Sequence, residues 1–343
     1  MDNILFLAHT EADGTLNKAA LEALSSAVEL KQALGGTLDV ALFGAQIQPA
    51  ANSIAACGAT RFFAVGGEAF GPARFATDAA ASEALVKASG ATIVIAPATS
   101  RNSRVIAAVA HRVGGCADTH VNAVAAASGV MTVTRWFYRQ RIEGSLTRTQ
   151  RPWILLLDPG SRPAWKGEAG SVTPEAIDVP ITDGLSRTTV QGAVTPPADQ
   201  QTIRPDADLL FVAGAGWTKK QKDGQTHVPE AEVIIVDFLR NSKASLGGSK
   251  SLVDLSGENQ STLRFMTHLN QVGQTGSSPR HPKGLAACCH GEEPHTVGWR
   301  FIGERRAINL DPNCGWARGK ADVLYVADAF EVMSKVNALL SGK

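Results

Sequence analysis

The sequence lacks a charge excess, a long apolar run and a cysteine framework, and each absence excludes a class of protein. Its 33 Lys and Arg are balanced by 32 Asp and Glu, so nothing indicates a nucleic-acid partner or an acidic membrane surface. No run approaches the roughly 18 consecutive apolar residues that a spanning helix needs. The five cysteines are odd in number and show no scaffold spacing. We therefore expect a protein without direct membrane insertion in a reducing compartment.

The start of the chain carries no secretory pattern. Its first letters, MDNILFLA, place an acid where a signal peptide has Lys or Arg, and the apolar run is short. We therefore expect a cytoplasmic location. A length of 343 residues exceeds the roughly 250–300 residues at which single cores stop growing. The predicted organisation is an N-terminal domain over 1–160, a linker region over 161–204 and a C-terminal domain over 205–343.

The first half alternates short β-branched runs with alanine-rich helical patterns. Predicted strands cover 4–8, 38–43, 61–65 and 92–96. Predicted helices cover 46–57, 75–88 and 105–113, and another begins after Asn17, which can cap it, and stops at Gly35. Strands that alternate with helices at this spacing predict a parallel sheet covered on both faces.

From about residue 119 the pattern changes to strands joined by short turns. Four are predicted, at 121–126, 130–139, 144–149 and 153–158, as an antiparallel addition to the sheet. Within them the run RWFYRQR (135–141) is basic and aromatic; we interpret it as a subunit or interdomain contact, with nucleic-acid binding as the alternative. The stretch 160–204 is rich in Pro, Gly, Ser and Thr, which is typical of a domain boundary, with one edge strand near 176–179.

A second α/β pattern follows. Its predicted strands cover 209–213, 285–288, 306–310 and 323–326, its helices about 231–240, 258–269 and 329–340, and a turn falls at Gly247 and Gly248. The fold class is therefore α/β with two domains, the first a parallel sheet with an antiparallel addition and the second Rossmann-like and doubly wound. Ligands of such sheets bind beyond the carboxyl ends of the strands.

Two loops of the second half leave alternatives open. The run GAG (214–216) is half of a dinucleotide fingerprint, which suits either an NAD-binding enzyme or a plain tight turn. The stretch GLAACCHGEEPH (284–295) could be a zinc site, a reactive thiol or a strand, turn and helix start that faces a ligand. Adjacent cysteines cannot easily bind one tetrahedral ion, so we expect no metal site there.

Several short motifs then occur in a characteristic order. They are GGSK (247–250), VGQTG (272–276), HGEEPH (290–295), AINLDP (307–312) and VADAF (326–330). Together they resemble the FAD-binding domain of the electron-transfer flavoprotein α subunit, and APATS (96–100) in the first half resembles the same family. The resemblance covers nearly the whole chain.

The resemblance implies an electron carrier and no substrate-transforming active site. It implies a non-covalent FAD, a heterodimer with a β subunit that binds AMP in many members, a donor dehydrogenase and an acceptor oxidoreductase towards the respiratory chain. The residues that it assigns to FAD are Ser249, Lys250, Val272, Gly273, Gln274, Thr275, His290, Gly291, Glu292, Glu293, Pro294, His295, Asn309, Asp328 and Ala329.

Roles for these residues also come from the resemblance. Ser249 and Lys250 would lie at one face of the isoalloxazine, Thr275 near its N5 and His295 near its C2 carbonyl. Asn309, Asp328 and Ala329 would hold the ribose and adenine. A histidine and helix N-terminal amides stabilise the negative charge of a reduced flavin, which sets its potential.

The sequence departs from the family at positions near the cofactor. Gly216 and Lys250 stand where the family has arginine, and lysine lacks the planar guanidinium that stacks on a ring. Glu292 and Glu293 bring negative charge near the pyrophosphate, which they repel. The alternative hypothesis is therefore a cofactor-free structural or assembly subunit of an electron-transfer complex.

Overall fold

The computed structural model of the chain describes residues 2–138, 142–192, 203–204, 207–254, 262–273, 279–288, 302–314, 317 and 321–342. The chain forms two compact units, Met1–Ala193 and Val194–Lys343. Each is a parallel-sheet α/β unit, so the predicted fold class is confirmed. The domain bounds predicted at 160 and 205 stay a prediction. Within the described ranges, no helix combines the length and the apolar character needed to cross a membrane.

Nine strands form one sheet in the described part of the first unit. They are β1 Asn3–His9, β2 Thr37–Gly44, β3 Arg61–Gly66, β4 Ile93–Pro97, β5 Cys116–Ala127, β6 Val130–Phe137, β7 Ile142–Leu146, β8 Trp153–Leu157 and β9 Glu175–Ala176. The order across the sheet is β7-β6-β5-β8-β4-β1-β2-β3-β9. The pairs β5–β6 and β6–β7 are antiparallel and the others are parallel.

The prediction of an antiparallel addition is correct for β5 to β7 and wrong for β8. Strand β8 runs parallel between β4 and β5, and all five of its residues are buried. The reason lies in its composition, because a continuous apolar run such as WILLL is typical of a strand covered on both faces. The hairpins β5–β6 and β6–β7 carry the chain outward, and the segment 147–152 returns it to β8, which therefore joins the sheet without a crossover helix.

The helices of the first unit follow local signals closely. They are α1 Lys18–Leu34, α2 Gln48–Ser53, α3 Phe75–Ser89, α4 Ser100–Arg112 and α5 Asp183–Ser186. The Asn17 side chain accepts the Ala20 amide at 2.9 Å, and Gly35 ends α1 in the left-handed conformation. Helix α2 is shorter than predicted, because beyond Ser53 the amide of Cys57 bonds three residues back, to Ile54, at 3.0 Å.

Part of the predicted linker packs on the first unit. The Trp165 amide donates to the Leu21 carbonyl at 3.0 Å, and the Gln48 side chain donates to the Val172 carbonyl at 2.7 Å. Strand β9 then pairs in parallel with β3. This segment therefore extends the sheet and covers α1 and α2.

The described part of the second unit holds a five-stranded parallel sheet. Its strands are β10 Leu209–Ala213, β11 Ser245–Gly248, β12 Lys283–Ala287, β13 Glu304–Asn309 and β14 Val323–Val326, and its helices are α6 Val228–Ser242, α7 Lys250–Asp254 and α8 Ala329–Leu340. The order across the sheet is β11-β10-β12-β13-β14. Phe211, Trp217 and Phe238 are the large buried side chains of its core.

Two local predictions for this unit are wrong. Gly247 and Gly248 belong to strand β11, not to a turn. A Cβ on Gly247 would approach Val272 Cγ2 at 2.7 Å, and one on Gly248 would collide with Met266, so both glycines permit close packing. The predicted helix 258–269 is also absent from its described part, 262–269, where a short 3-10 turn at His268–Asn270 is capped by Thr267. Residues 255–261 lie outside the described residues.

Candidate functional site

The switch point of the second sheet lies between β10 and β12, because the chain first adds β11 on one side and then β12 on the other. A cavity of about 200 Å³ lies beyond the strand ends there. We name it the strand-end cleft. Its lining consists of Gly216, Lys219, Lys220, Gln221, Cys288, Asn309, Leu310, Ala327, Asp328, Ala329 and Phe330.

Asn309 ends strand β13 at the cleft and is 4% exposed. Its side-chain oxygen accepts the Asp311 amide at 3.0 Å, and its carbonyl accepts the Ala327 amide at 3.2 Å. These bonds hold the turn after β13 against the end of β14. The amide side chain is therefore kept in place on the cleft wall.

Asp328 caps helix α8. One carboxylate oxygen accepts the Phe330 amide at 2.9 Å, and the other lies 3.9 Å from Lys222 Nζ. A carboxylate is favourable here because the amino end of a helix carries partial positive charge. Asp328 and Asn309 thus come from neighbouring strand ends and line one cleft.

The opposite wall is a short loop after a 3-10 helix at Ala215–Thr218. The Gln221 side chain donates to the Gly216 carbonyl at 3.1 Å and to the Lys219 carbonyl at 2.7 Å. Trp217 is fully buried, and its ring lies 4.7 Å from that of Phe330. The loop that carries Lys219 and Lys220 is therefore held against the core.

Cys288 lies at the switch point with a left-handed φ of 60°. Its amide donates to the Ile308 carbonyl at 3.1 Å, and its carbonyl accepts the Gly216 amide at 3.1 Å. Burial, with the Asp328 charge adding to it, raises the pKa of the thiol to about 12. Cys288 is therefore protonated at neutral pH and is no nucleophile there.

A second group of the expected residues gathers at the end of β11. Ser249 is fully buried, and its hydroxyl accepts the Leu252 amide at 3.1 Å. Lys250 contacts the carboxylate of Asp254, whose other oxygen lies 3.0 Å from His268 Nε2. Val272 packs next to this group, and its amide donates to the Gly248 carbonyl at 3.0 Å.

The structure thus brings the expected residues together in two groups. Ser249, Lys250, Val272 and Gly273 lie around the end of β11, while Asn309, Asp328 and Ala329 lie at the strand-end cleft. Strand β11 is three strands from β13, which corresponds to about 14 Å along the sheet edge. Outside the described residues lie Gln274, Thr275, His290, Gly291, Glu292, Glu293, Pro294 and His295.

Sequence reasoning did not assign Lys219, Lys220 or Phe330 to the site. The two lysines follow a glycine-containing turn after β10, and that position in an α/β sheet is the available signal. Within the described ranges no group of three His, Cys, Asp or Glu could hold a metal. The expectation of no zinc site at 288–295 stays a prediction, because only Cys288 of its candidate ligands is described. Its other candidate ligands, Cys289, His290 and His295, are not described.

The switch point of the first sheet, between β1 and β4, is filled by the protein itself. Arg101 is buried and donates to Asp78 at 2.8 Å and 2.6 Å and to the carbonyls of Phe70 and Gly71. His9, at the end of β1, lies 3.1 Å from the Thr99 hydroxyl. This crevice is occupied by an ion pair with its hydrogen bonds satisfied.

A second buried carboxylate joins the antiparallel strands to the rest of the first sheet. Asp118 in β5 accepts bonds from Arg135 at 2.7 Å, Arg148 at 2.6 Å and the Trp153 indole at 2.9 Å. Arg135, the first residue of the basic run, is therefore used inside the unit. Tyr138 is 76% exposed, and residues 139–141 are not described.

Comparison with known proteins agrees with this architecture. The family model of the electron transfer flavoprotein domain matches residues 4–183, just over half of the chain and within the first unit. A comparison with curated proteins gives no match.

Proposed function

Since the chain belongs to the electron transfer flavoprotein family, we propose that it is the α subunit of a heterodimeric electron carrier whose second unit holds FAD without a covalent bond. The observation that carries the proposal is the convergence of Asn309 and Asp328 on one cleft at the switch point of a parallel sheet. Dinucleotides bind at this place in doubly wound sheets.

The donor set of the strand-end cleft suits the nucleoside end of FAD. A carboxylate and an amide can bind ribose hydroxyls, and Ala329 and Phe330 supply an apolar wall for a base. The volume of about 200 Å³ suits one part of a dinucleotide, since whole drug-sized ligands occupy roughly 300–1,000 Å³. Asn309, Asp328 and Ala329 would therefore hold the ribose and adenine.

The flavin ring would extend along the sheet edge towards β11. There Ser249, Lys250, Val272 and Gly273 would contact it, with Gln274, Thr275 and the loop 290–295 completing the site. When bound, FAD supplies the redox chemistry by accepting and returning electrons. The chain itself would bind and orient the ring and exclude water. Because Lys250 already contacts Asp254, its charge near the ring is partly neutralised.

The proposed partners follow from the family. They are a β subunit, in which AMP is bound in many members, a donor dehydrogenase, and an acceptor oxidoreductase that passes electrons towards the respiratory chain. We also propose a cytoplasmic location for the protein. Within the described residues, β7 is an outer strand of the sheet and Tyr138 is exposed beside it, which suits a subunit contact. No substrate-transforming site is proposed.

The test is to purify the chain with its co-expressed β subunit and record the visible spectrum. We expect a yellow heterodimer that releases FAD on denaturation and takes up electrons in a reductive titration. The variant Asn309→Ala should retain less FAD than its matched control Asn241→Ala at equal protein, because Asn241 is an exposed asparagine of α6 outside the lining of the cleft. A colourless heterodimer that FAD does not reconstitute would instead support the cofactor-free assembly subunit. Stabilisation by NAD against heat would favour the NAD-binding alternative.

A further inference from the structure

The strand-end cleft has an unbalanced charge on its walls. Lys219 and Lys220 line one side, and Asp328 is the acid among the lining residues. Within the described ranges, neither lysine has an ion-pair partner, whereas Lys222 lies 3.9 Å from Asp328. Two exposed cations thus border the cavity, and neither forms an ion pair with a carboxylate of the described residues.

The backbone that carries these lysines is well fixed. Lys220 pairs with Thr226 in a β-bridge, and His227 binds Asp223 at 2.7 Å across the same loop. The Gln221 side chain adds its two bonds to backbone carbonyls. A fixed loop places both cations at the cavity before a ligand arrives, which reduces the entropy lost on binding.

We propose that Lys219 and Lys220 bind the phosphate groups of a nucleotide whose nucleoside lies in the strand-end cleft. The inference rests on the proposed function and adds that the cleft selects phosphorylated over unphosphorylated nucleosides. The carboxylate of Asp328 is negatively charged and the amide of Asn309 is neutral, so neither side chain attracts a phosphate electrostatically. A lysine ammonium binds phosphate as a point charge, and charge-assisted bonds are stronger than neutral ones.

The experiment titrates the FAD-depleted full-length protein with ADP and, separately, with adenosine, using calorimetry. The test variant is Lys219→Gln with Lys220→Gln. The matched control is Lys283→Gln with Lys335→Gln, which removes the same charge from exposed positions of the same unit. Lys283 begins β12 and therefore lies at the opposite edge of the sheet.

We expect the test variant to bind ADP roughly tenfold more weakly, with an unchanged Kd for adenosine. The affinity of the wild-type protein for ADP should also fall as salt rises, and this dependence should be smaller in the test variant. The control variant should bind both ligands as the wild type does.

Each other outcome is decisive. Equal loss of ADP and adenosine affinity, or equal loss in the control variant, overturns the role of the two lysines. Unchanged ADP binding in the test variant also overturns it and leaves the proposed function intact. A wild-type protein that binds neither ADP nor adenosine nor FAD refutes the proposed function itself.

Discussion

Asp118→Asn tests whether one buried carboxylate holds the antiparallel strands to the sheet. Asp118 is 1% exposed and accepts two bonds from Arg148, one from Arg135 and one from the Trp153 indole. These donors come from β6, the segment after β7, and β8. An asparagine keeps the size of the side chain but removes its charge. Its NH2 group would also face the N–H donors of Arg135, Arg148 and Trp153, with which it cannot form hydrogen bonds.

The expected loss of unfolding free energy is about 3 kcal/mol, at the low end for breaking a buried pair because Arg148 is 42% exposed and can turn towards water. For a unit of this size each kcal/mol lowers Tm by about 2–4 °C, so a decrease of roughly 6–12 °C should follow. Arg148→Met should cost less, since the carboxylate keeps its bonds from Arg135 and Trp153.

The dependence of the unfolding free energy on pH in the acid range provides a second measurement. Burial alone would raise the pKa of Asp118, but the bonds from Arg148, Trp153 and Arg135 outweigh it and hold the pKa below its usual range. The contribution to stability is therefore complete above the unfolded pKa of about 3.9 and is lost as the pH falls through the folded value. Asp118→Asn should show a weaker loss of stability in this acid range.

The assay is urea unfolding followed by circular dichroism, with hydrogen exchange of residues 116–157 to localise the effect. Asp178→Asn is the control, because Asp178 is an exposed acid of the same unit. A loss below about 1 kcal/mol, together with unchanged exchange in the antiparallel strands, would refute the reasoning.

Three further predictions concern the ends of the strands. Asp328→Asn should preserve stability within about 0.5 kcal/mol, since asparagine caps helices equally well, but it should weaken ribose binding; Asp328→Ala should also cost about 1 kcal/mol in urea unfolding. Cys288 should resist iodoacetamide at pH 8 in the native protein and react in urea, as mapped by mass spectrometry, because its pKa is raised to about 12. Burial and Arg101 lower the pKa of His9, so stability should fall as the pH drops below about 6.5, and His9→Gln should flatten that dependence in thermal unfolding.

Sequence reasoning reached part of the candidate site. The resemblance pointed to Asn309, Asp328 and Ala329, and the structure brings all three to the strand-end cleft. Their binding of FAD stays a prediction. Sequence reasoning did not find Lys219 and Lys220, because they belong to no motif and come to line one cavity with Asp328 only through the folding of the sheet.

The sequence by itself determined the local elements of the chain. The Asn17 cap and the Gly35 stop of α1 depend on hydrogen bonds between residues a few positions apart, so the pattern of letters contains them. Only the tertiary structure decided the place of β8 between β4 and β5. The same holds for the meeting of Asp118 with Arg148. Such pairings join distant segments, and their free energy depends on a strand order that no local pattern records.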